Sequence, residues 1–119
     1  MNNITIVGRV GRDPELRYSK DEKPIAVFSV ATDYGRDENK KTSWHNIVAF
    51  GSLAENVIKS IHTGTRVIVS GRLDVSDYQT KDGEKKKKHE LIADAVGIEL
   101  RFDAVESYMV ADVVAEEVF

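Results

Sequence analysis

The chain has 119 residues, no cysteine, 41% hydrophobic and 31% charged residues, and a formal net charge of −3. That length supports one domain around one core, and the lack of cysteine excludes a disulfide framework, a thiolate nucleophile and a cysteine-ligated zinc site. No apolar run approaches the ~20 residues of a membrane helix, and Met1 leads into an alternating pattern rather than a basic and then apolar leader, so neither a membrane partner nor a signal peptide is expected.

The charge is unevenly placed. All 17 Lys and Arg and 15 of the 20 Asp and Glu precede residue 102, so residues 1–101 carry +2. The other five acids (Asp103, Glu106, Asp112, Glu116 and Glu117) stand in residues 102–119 with no base, at −5. A mildly basic body with a short acidic end is the expected division: a domain over 1–101 and a terminal segment over 102–119.

The first element is a half-buried strand, with Ile4, Ile6, Gly8 and Val10 alternating against Thr5, Val7 and Arg9. Asp13-Pro14-Glu15 has turn chemistry. A second strand is predicted over 25–32, with Ala26, Phe28 and Val30 on one face, followed by a polar loop over 33–41 long enough to swing. The third strand, SWHNIVAF (43–50), sends Trp44, Asn46, Val48 and Phe50 one way and His45, Ile47 and Ala49 the other. Residues 52–64 form the one convincing helix. Ser52 and Glu55 have capping-box spacing, Leu53, Ala54, Val57, Ile58 and Ile61 make an apolar stripe, and Gly64 is placed as the left-handed stop. A fourth strand is predicted over 65–78, with Val67, Val69, Gly71, Leu73 and Val75 on one face. Asp82-Gly83 then marks a hairpin turn into a fifth strand over 86–96, whose inward face the alternation leaves ambiguous.

Five strands with one helix between the third and fourth predict an all-β fold. The order matches the OB-fold, a small Greek-key barrel that holds oligonucleotides, although other small barrels also carry a single helix.

Several runs carry a resemblance: NNITIVGRVGRDPELRY (2–18), the ATD that ends the second strand, TSWHNIVAFGSLAENV (42–57) and GTRVIVSGRL (64–73). Together they resemble the bacterial single-stranded DNA-binding protein family, in register from about Asn3 to Arg101. The resemblance implies sequence-independent binding and protection of single-stranded DNA in replication, recombination and repair, by a cytoplasmic, nucleoid-associated homotetramer. Bases would stack on Tyr34, Trp44, Phe50 and Tyr78, two of these being tyrosine where the family commonly has tryptophan. Such stacking tolerates any sequence because every base has a π face. A lone tryptophan is ordinarily a core residue, and here parity and resemblance together place it outside.

Phosphates would meet Arg72, the likeliest of Arg9, Arg12, Arg17, Arg66 and Arg72, with Arg17 equally readable as a structural ion-pair residue. Asp74 and Asp77 depart from the family's basic pattern. Lys85, Lys86, Lys87 and Lys88 read either as a solvated loop tip or as the compensating positive field. The resemblance puts Asn3, Ile4, Thr5, Ile6 and Val7 on a dimer-forming strand edge and His45 near a subunit contact. The terminus lacks the family's long linker and its proline, yet ends at Phe119 beside acids, chemistry suited to docking replication or repair proteins.

No cofactor, metal or catalytic residue is expected: the three histidines are scattered, and Asp33, Asp37 and Glu38 stand beside Lys40 and Lys41 as a solvated cluster. The alternative function is an accessory or phage paralogue acting mainly as a protein-interaction module with weakened DNA binding.

Overall fold

A computed structural model of the chain describes residues 1–102, 104 and 105. Its strands are β1 (Ile4–Val10), β2 (Glu15–Tyr18), β3 (Pro24–Tyr34), β4 (Lys41–Phe50), β5 (Arg66–Gln79) and β6 (Lys85–Ile98), with α1 (Ser52–Ser60) between β4 and β5. Five strands run in the order β1-β5-β6-β4-β3, and β1 closes the ring by pairing Arg9 and Val10 with Ala31 and Val30 of β3. β4 and β6 pair in parallel through Ile47–Leu91 and Val48–Ile92, the other pairs being antiparallel. This is the expected OB-type barrel. β2 is an addition to it, a four-residue strand laid along β3 from Glu15–Val27 to Tyr18–Pro24, just beyond the Asp-Pro turn.

The interior follows from alternation. Val30, Ile47, Val67 and Val69 are enclosed completely, and Ala26, Phe28, Ala49, Leu91 and Ala93 fill the space between them. Ala54, Val57 and Ile61 bring the apolar stripe of α1 onto the same core, with Leu53 and Ile58 at its margin. Burying one such aliphatic side chain is worth about 1.5–3 kcal/mol, so the barrel plus its helix plug is one cooperative unit.

Both expected helix ends move. Gly51, at φ +67°, turns the chain out of β4 and becomes the N-cap, with no side-chain cap bond. Ser52 is therefore already helical, and the capping box does not form. At the other end Ile61 is extended (φ −118°, ψ 132°), because burying it in the core draws it out of the helical path. Gly64 is left-handed (φ +87°) as its type suggests, but it serves the turn into β5, where its N–H donates to the Val10 carbonyl at 2.8 Å. The polar loop after β3 is shorter than expected. β3 and β4 continue to Tyr34–Lys41, a single 3-10 turn at Asp37–Asn39 joins them, and the Thr42 hydroxyl donates to Asp33 at 2.6 Å across the ladder.

The ambiguous face of the last strand has a specific cause. Between Ser70–Ala95 and Gly71–Ala93 the register shifts, leaving Asp94 as an extra residue on β6. A bulge of this kind reverses the alternation: Leu91 and Ala93 point inward before it, Val96 after it. At this point β5 and β6 approach so closely that a Cβ on Gly71 would strike the Ile92 carbonyl oxygen.

Two tethers hold the connecting segments. The Asp13 carboxylate accepts from the Thr63 backbone N–H (2.7 Å) and hydroxyl (2.8 Å), tying the turn after β1 to the loop after α1. These bonds, the backbone one first, hold its pKa below the ordinary aspartate value. After β6, Glu99 accepts from Arg66 at 2.9 Å and Arg101 at 2.8 Å, and both guanidinium groups lie over the Phe102 ring, 4.8 and 5.3 Å from its centre. The Arg66 bond is the main cause of the lowered Glu99 pKa.

Two outcomes follow from this packing. Gly71→Ala should cost about 1–3 kcal/mol of stability through overpacking, read as a lower denaturant midpoint with unchanged slope. Because the folded-state pKa of Asp13 is depressed, its contribution is present above the unfolded value near 4 and is lost as pH falls through the folded pKa. Melting temperature measured from pH 6 down to 3 should therefore fall less steeply in Asp13→Asn than in the parent chain.

Candidate nucleic-acid interface

The register between β3 and β4 builds one outward face. Trp44 stands opposite Ala31, Asn46 opposite Ser29, Val48 opposite Val27 and Phe50 opposite Ile25, and Arg17 of β2 continues the last row. The inward residues of β4, Ile47 and Ala49, are fully enclosed, so alternation leaves Trp44 and Phe50 no route to the core. Trp44 is 62% exposed and Phe50 51%. Val48 shares their face but is buried, flanked by Val27 and Ile92, and so forms an apolar floor between Asn46 and Phe50.

The indole is seated against the backbone of Gly11. A Cβ there would run into Cζ3 and Cη2 of the ring and come within 3.1 Å of the Ser29 hydroxyl. Gly11 is thus a site residue that sequence reasoning missed. It sits inside the VGRVGRDPELRY run, but only its close approach to the ring gives it a role.

Three grooves share lining residues in series, with an aromatic ring among the residues shared at each junction. The first, about 460 Å³, is lined by Arg12, Asp13, Arg17, Ser29, Trp44 and Asn46 among others. The second, about 850 Å³, begins at Trp44 and Asn46, the two residues it shares with the first, and reaches Tyr78, Lys87, Lys88 and Glu90. The third, about 480 Å³, shares Tyr78 and Lys87 with the second and adds Asp77, Gln79, Lys85 and Lys86. Trp44 and Tyr78 are therefore the two aromatic joints of a path traced by the shared lining residues, with Asn46 and Lys87 beside them.

The path's outer part is the arm formed by β5 and β6 beyond the barrel, exposed on both faces from Asp74 to Gln79 and from Lys85 to His89. Its register sets the electrostatics. Lys87 faces Asp77, Lys86 faces Tyr78 and Lys85 faces Gln79, so the run of lysines lies directly across from one of the two unexpected acids. Asp74 faces Glu90, a like-charge pair that costs stability, and Lys88 stands 3.6 Å from Glu90. Lys85–Lys88 belong to β6 rather than to a loop tip.

Not every expected contact residue joins the path. Tyr34 is 60% exposed at the end of β3, opposite Lys41, and lines none of the three grooves. Phe50 stands beyond the first groove in the row shared with Arg17. Arg72 is exposed on β5 opposite Ile92 and also lines none of them. Among the other arginines, Arg66 is held by Glu99, Arg17 pairs with Glu15 at 2.8 Å, Arg9 donates to the Gly64 carbonyl at 2.9 Å, and Arg12 lines the first groove.

His45, half-buried, hydrogen-bonds the Thr32 hydroxyl through Nε2 at 2.8 Å and borders the second groove together with Ile4. Ile4 to Gly8 of β1 pair with β5 on one side, while pairing with β3 on the other begins only at Arg9. Phe119 lies outside the described residues. Among the described residues no three His, Asp or Glu side chains converge as a metal site would require, and no helix is long and apolar enough to cross a membrane.

Comparison with known proteins points to the same family. The family model described as "Single-strand binding protein family" matches residues 1–99. The chain is 37% identical to a single-stranded DNA-binding protein of Paenarthrobacter aurescens, aligned over 83% of this chain and 62% of that protein. It is 39% identical to that of Corynebacterium glutamicum over 84% of this chain and 48% of the relative, and 36% identical to that of Neisseria meningitidis serogroup A over 78% and 56%. The chain thus spans about half to three-fifths of the length of these curated relatives. With the closed barrel, the exposed ring on β4 and a family match over residues 1–99, the chain belongs to the single-strand binding protein family.

Proposed function

We propose that this chain binds single-stranded DNA without regard to sequence, as a non-enzymatic protector of unwound strands in replication, recombination and repair. The observation that carries the reading is the run of three grooves jointed at Trp44 and Tyr78. Bases stack on those rings, and the strand continues inward past Phe50 and outward past Lys85–Lys88. Each stack is worth about 1–3 kcal/mol whatever the base. The lysines neutralise phosphates and release counterions, which makes affinity fall with salt. Tyr34 and Arg72 extend the contact where a wrapped strand leaves the grooves.

The functional unit in this reading is a homotetramer. Among the described residues none pairs with Ile4–Val7 on the side away from β5, and a second copy there would cover an otherwise exposed strand edge. Asn3 extends that edge, and His45 lies close to the subunit contact. The acidic segment ending at Phe119 is the docking element for replication and repair proteins, and the site of action is the nucleoid. Neither the fold nor the relatives favour the alternative of a mainly protein-contacting paralogue.

Trp44 is the sole tryptophan, so its emission reports on one stacking position. Titration with oligo-dT should quench it strongly, and emission unchanged at saturating DNA would contradict the reading. By anisotropy of a labelled oligo-dT, Trp44→Ala should weaken binding by roughly 5- to 150-fold, the equivalent of one lost stack. Replacing Lys85–Lys88 with alanine should flatten the plot of log affinity against log salt by about 0.7 for each phosphate released.

A further inference from the structure

Asn46 is an amide on a face where the neighbouring rings suggest apolar function. It stands two residues from Trp44 on the same side of β4, a separation of about 7 Å by strand rise, and directly opposite Ser29 on β3. It lines both grooves that meet at the indole, whereas Ser29 lines the first. Among the described residues neither side chain has a hydrogen-bond partner, although their polar neighbours do: Asp13 is held by Thr63, Arg17 by Glu15, His45 by Thr32 and Glu90 by Lys88.

A base laid flat on the indole carries its polar rim out past the edge of the ring, and Asn46 is the next outward residue of the strand. We propose that the Asn46 side chain hydrogen-bonds the Watson–Crick edge of the base stacked on Trp44, which makes Asn46 a determinant of single-strand selectivity. This rests on the stacking reading above.

The chemistry suits sequence tolerance. A primary amide presents a carbonyl acceptor and an N–H donor side by side. Thymine and guanine offer a carbonyl next to a ring N–H; adenine and cytosine offer an amino group next to a bare ring nitrogen. Rotating the amide by half a turn matches either pair, so all four bases are served. In a duplex those atoms are occupied by the complementary strand, and the amide finds no partner there. Stacking on an end base and attraction to phosphates both survive in a duplex, whereas this bond requires an unpaired base.

A double cycle tests the assignment. Asn46→Ala and the parent chain are each titrated with oligo-dT and with oligo(N3-methyl-dT), which keeps the rings and phosphates but has lost the N3 donor. Asn46 is exposed, so the substitution should leave the melting temperature unchanged. The parent chain should bind the methylated strand roughly 3- to 10-fold more weakly than oligo-dT, the worth of one hydrogen bond, and Asn46→Ala should bind the two alike. An equal penalty in both proteins, with Trp44 quenching intact, would overturn the inference and leave stacking standing. Absent quenching in the parent chain would remove the stacking reading itself, and this inference with it.

Discussion

Ile47 and Ala49 are fully enclosed in the barrel, and the rest of the interface depends on that fact. A strand with two consecutive inward positions fixed has no freedom at the positions between and beside them. Sliding β4 by one residue against β3 would put Trp44, Asn46 and Phe50 into the core and expose Ile47 and Ala49. The cost would include burying an amide without a partner, about 1–3 kcal/mol on the mutational scale, besides the lost aliphatic contacts. The core therefore sets the direction of the rings, and their exposure is a by-product of register rather than a separate expense in stability. Gly11 completes the arrangement, since only a residue without a side chain lets the indole lie against the turn after β1.

Charge acts on a different part of the molecule. Around the first groove Asp13 and Glu15 stand near Arg12 and Arg17, so the field there is nearly balanced, and the indole is the dominant feature. The surplus of positive charge is at the far end, where three lysines and one aspartate line the third groove. A formal charge of −3 is thus a poor guide to this chain's electrostatics. With Lys87 directly opposite Asp77, part of the lysine field is spent inside the arm. What remains is screened within about 8–10 Å at physiological salt. In the proposed binding mode, stacking must then carry a larger share of affinity than it would in a chain with a uniformly basic groove.

Most of the barrel was legible because alternation with period two is a direct consequence of strand geometry. Val67 and Val69, Phe28 and Val30, Ile47 and Ala49 all fall where the pattern predicts. The misreadings share one cause, since each depends on how two separated segments meet. The Ser52–Glu55 spacing looks like a cap until the break at Gly51 shifts the helix boundary by one residue. The inward face of β6 is unreadable from its own residues because Asp94 is extra only relative to β5. β2 is four residues long, exposed throughout, and exists only as a partner of β3. Of the interface, the Trp44–Phe50 face was legible from parity, whereas the contribution of Gly11 and the meeting of the grooves at Tyr78 required the folded chain.

The path also has a mechanical consequence. Trp44 sits on the barrel wall, on a strand paired with β3 along its whole length and with β6 at Ile47 and Val48, whereas Tyr78 sits on a two-stranded arm with solvent on both faces. An isolated two-stranded ribbon is marginally stable in water, so the arm's geometry relies on its own ladder and on the turn at Gly83 (φ +85°). One joint of the path is braced by the barrel, and the other only by its own two-stranded ladder. In the proposed binding mode, the braced ring fixes where the first base lies, while the ring on the arm follows the variable spacing of successive unpaired nucleotides. On that reading, the fold combines a fixed anchor with tolerance for the irregular geometry of a flexible strand.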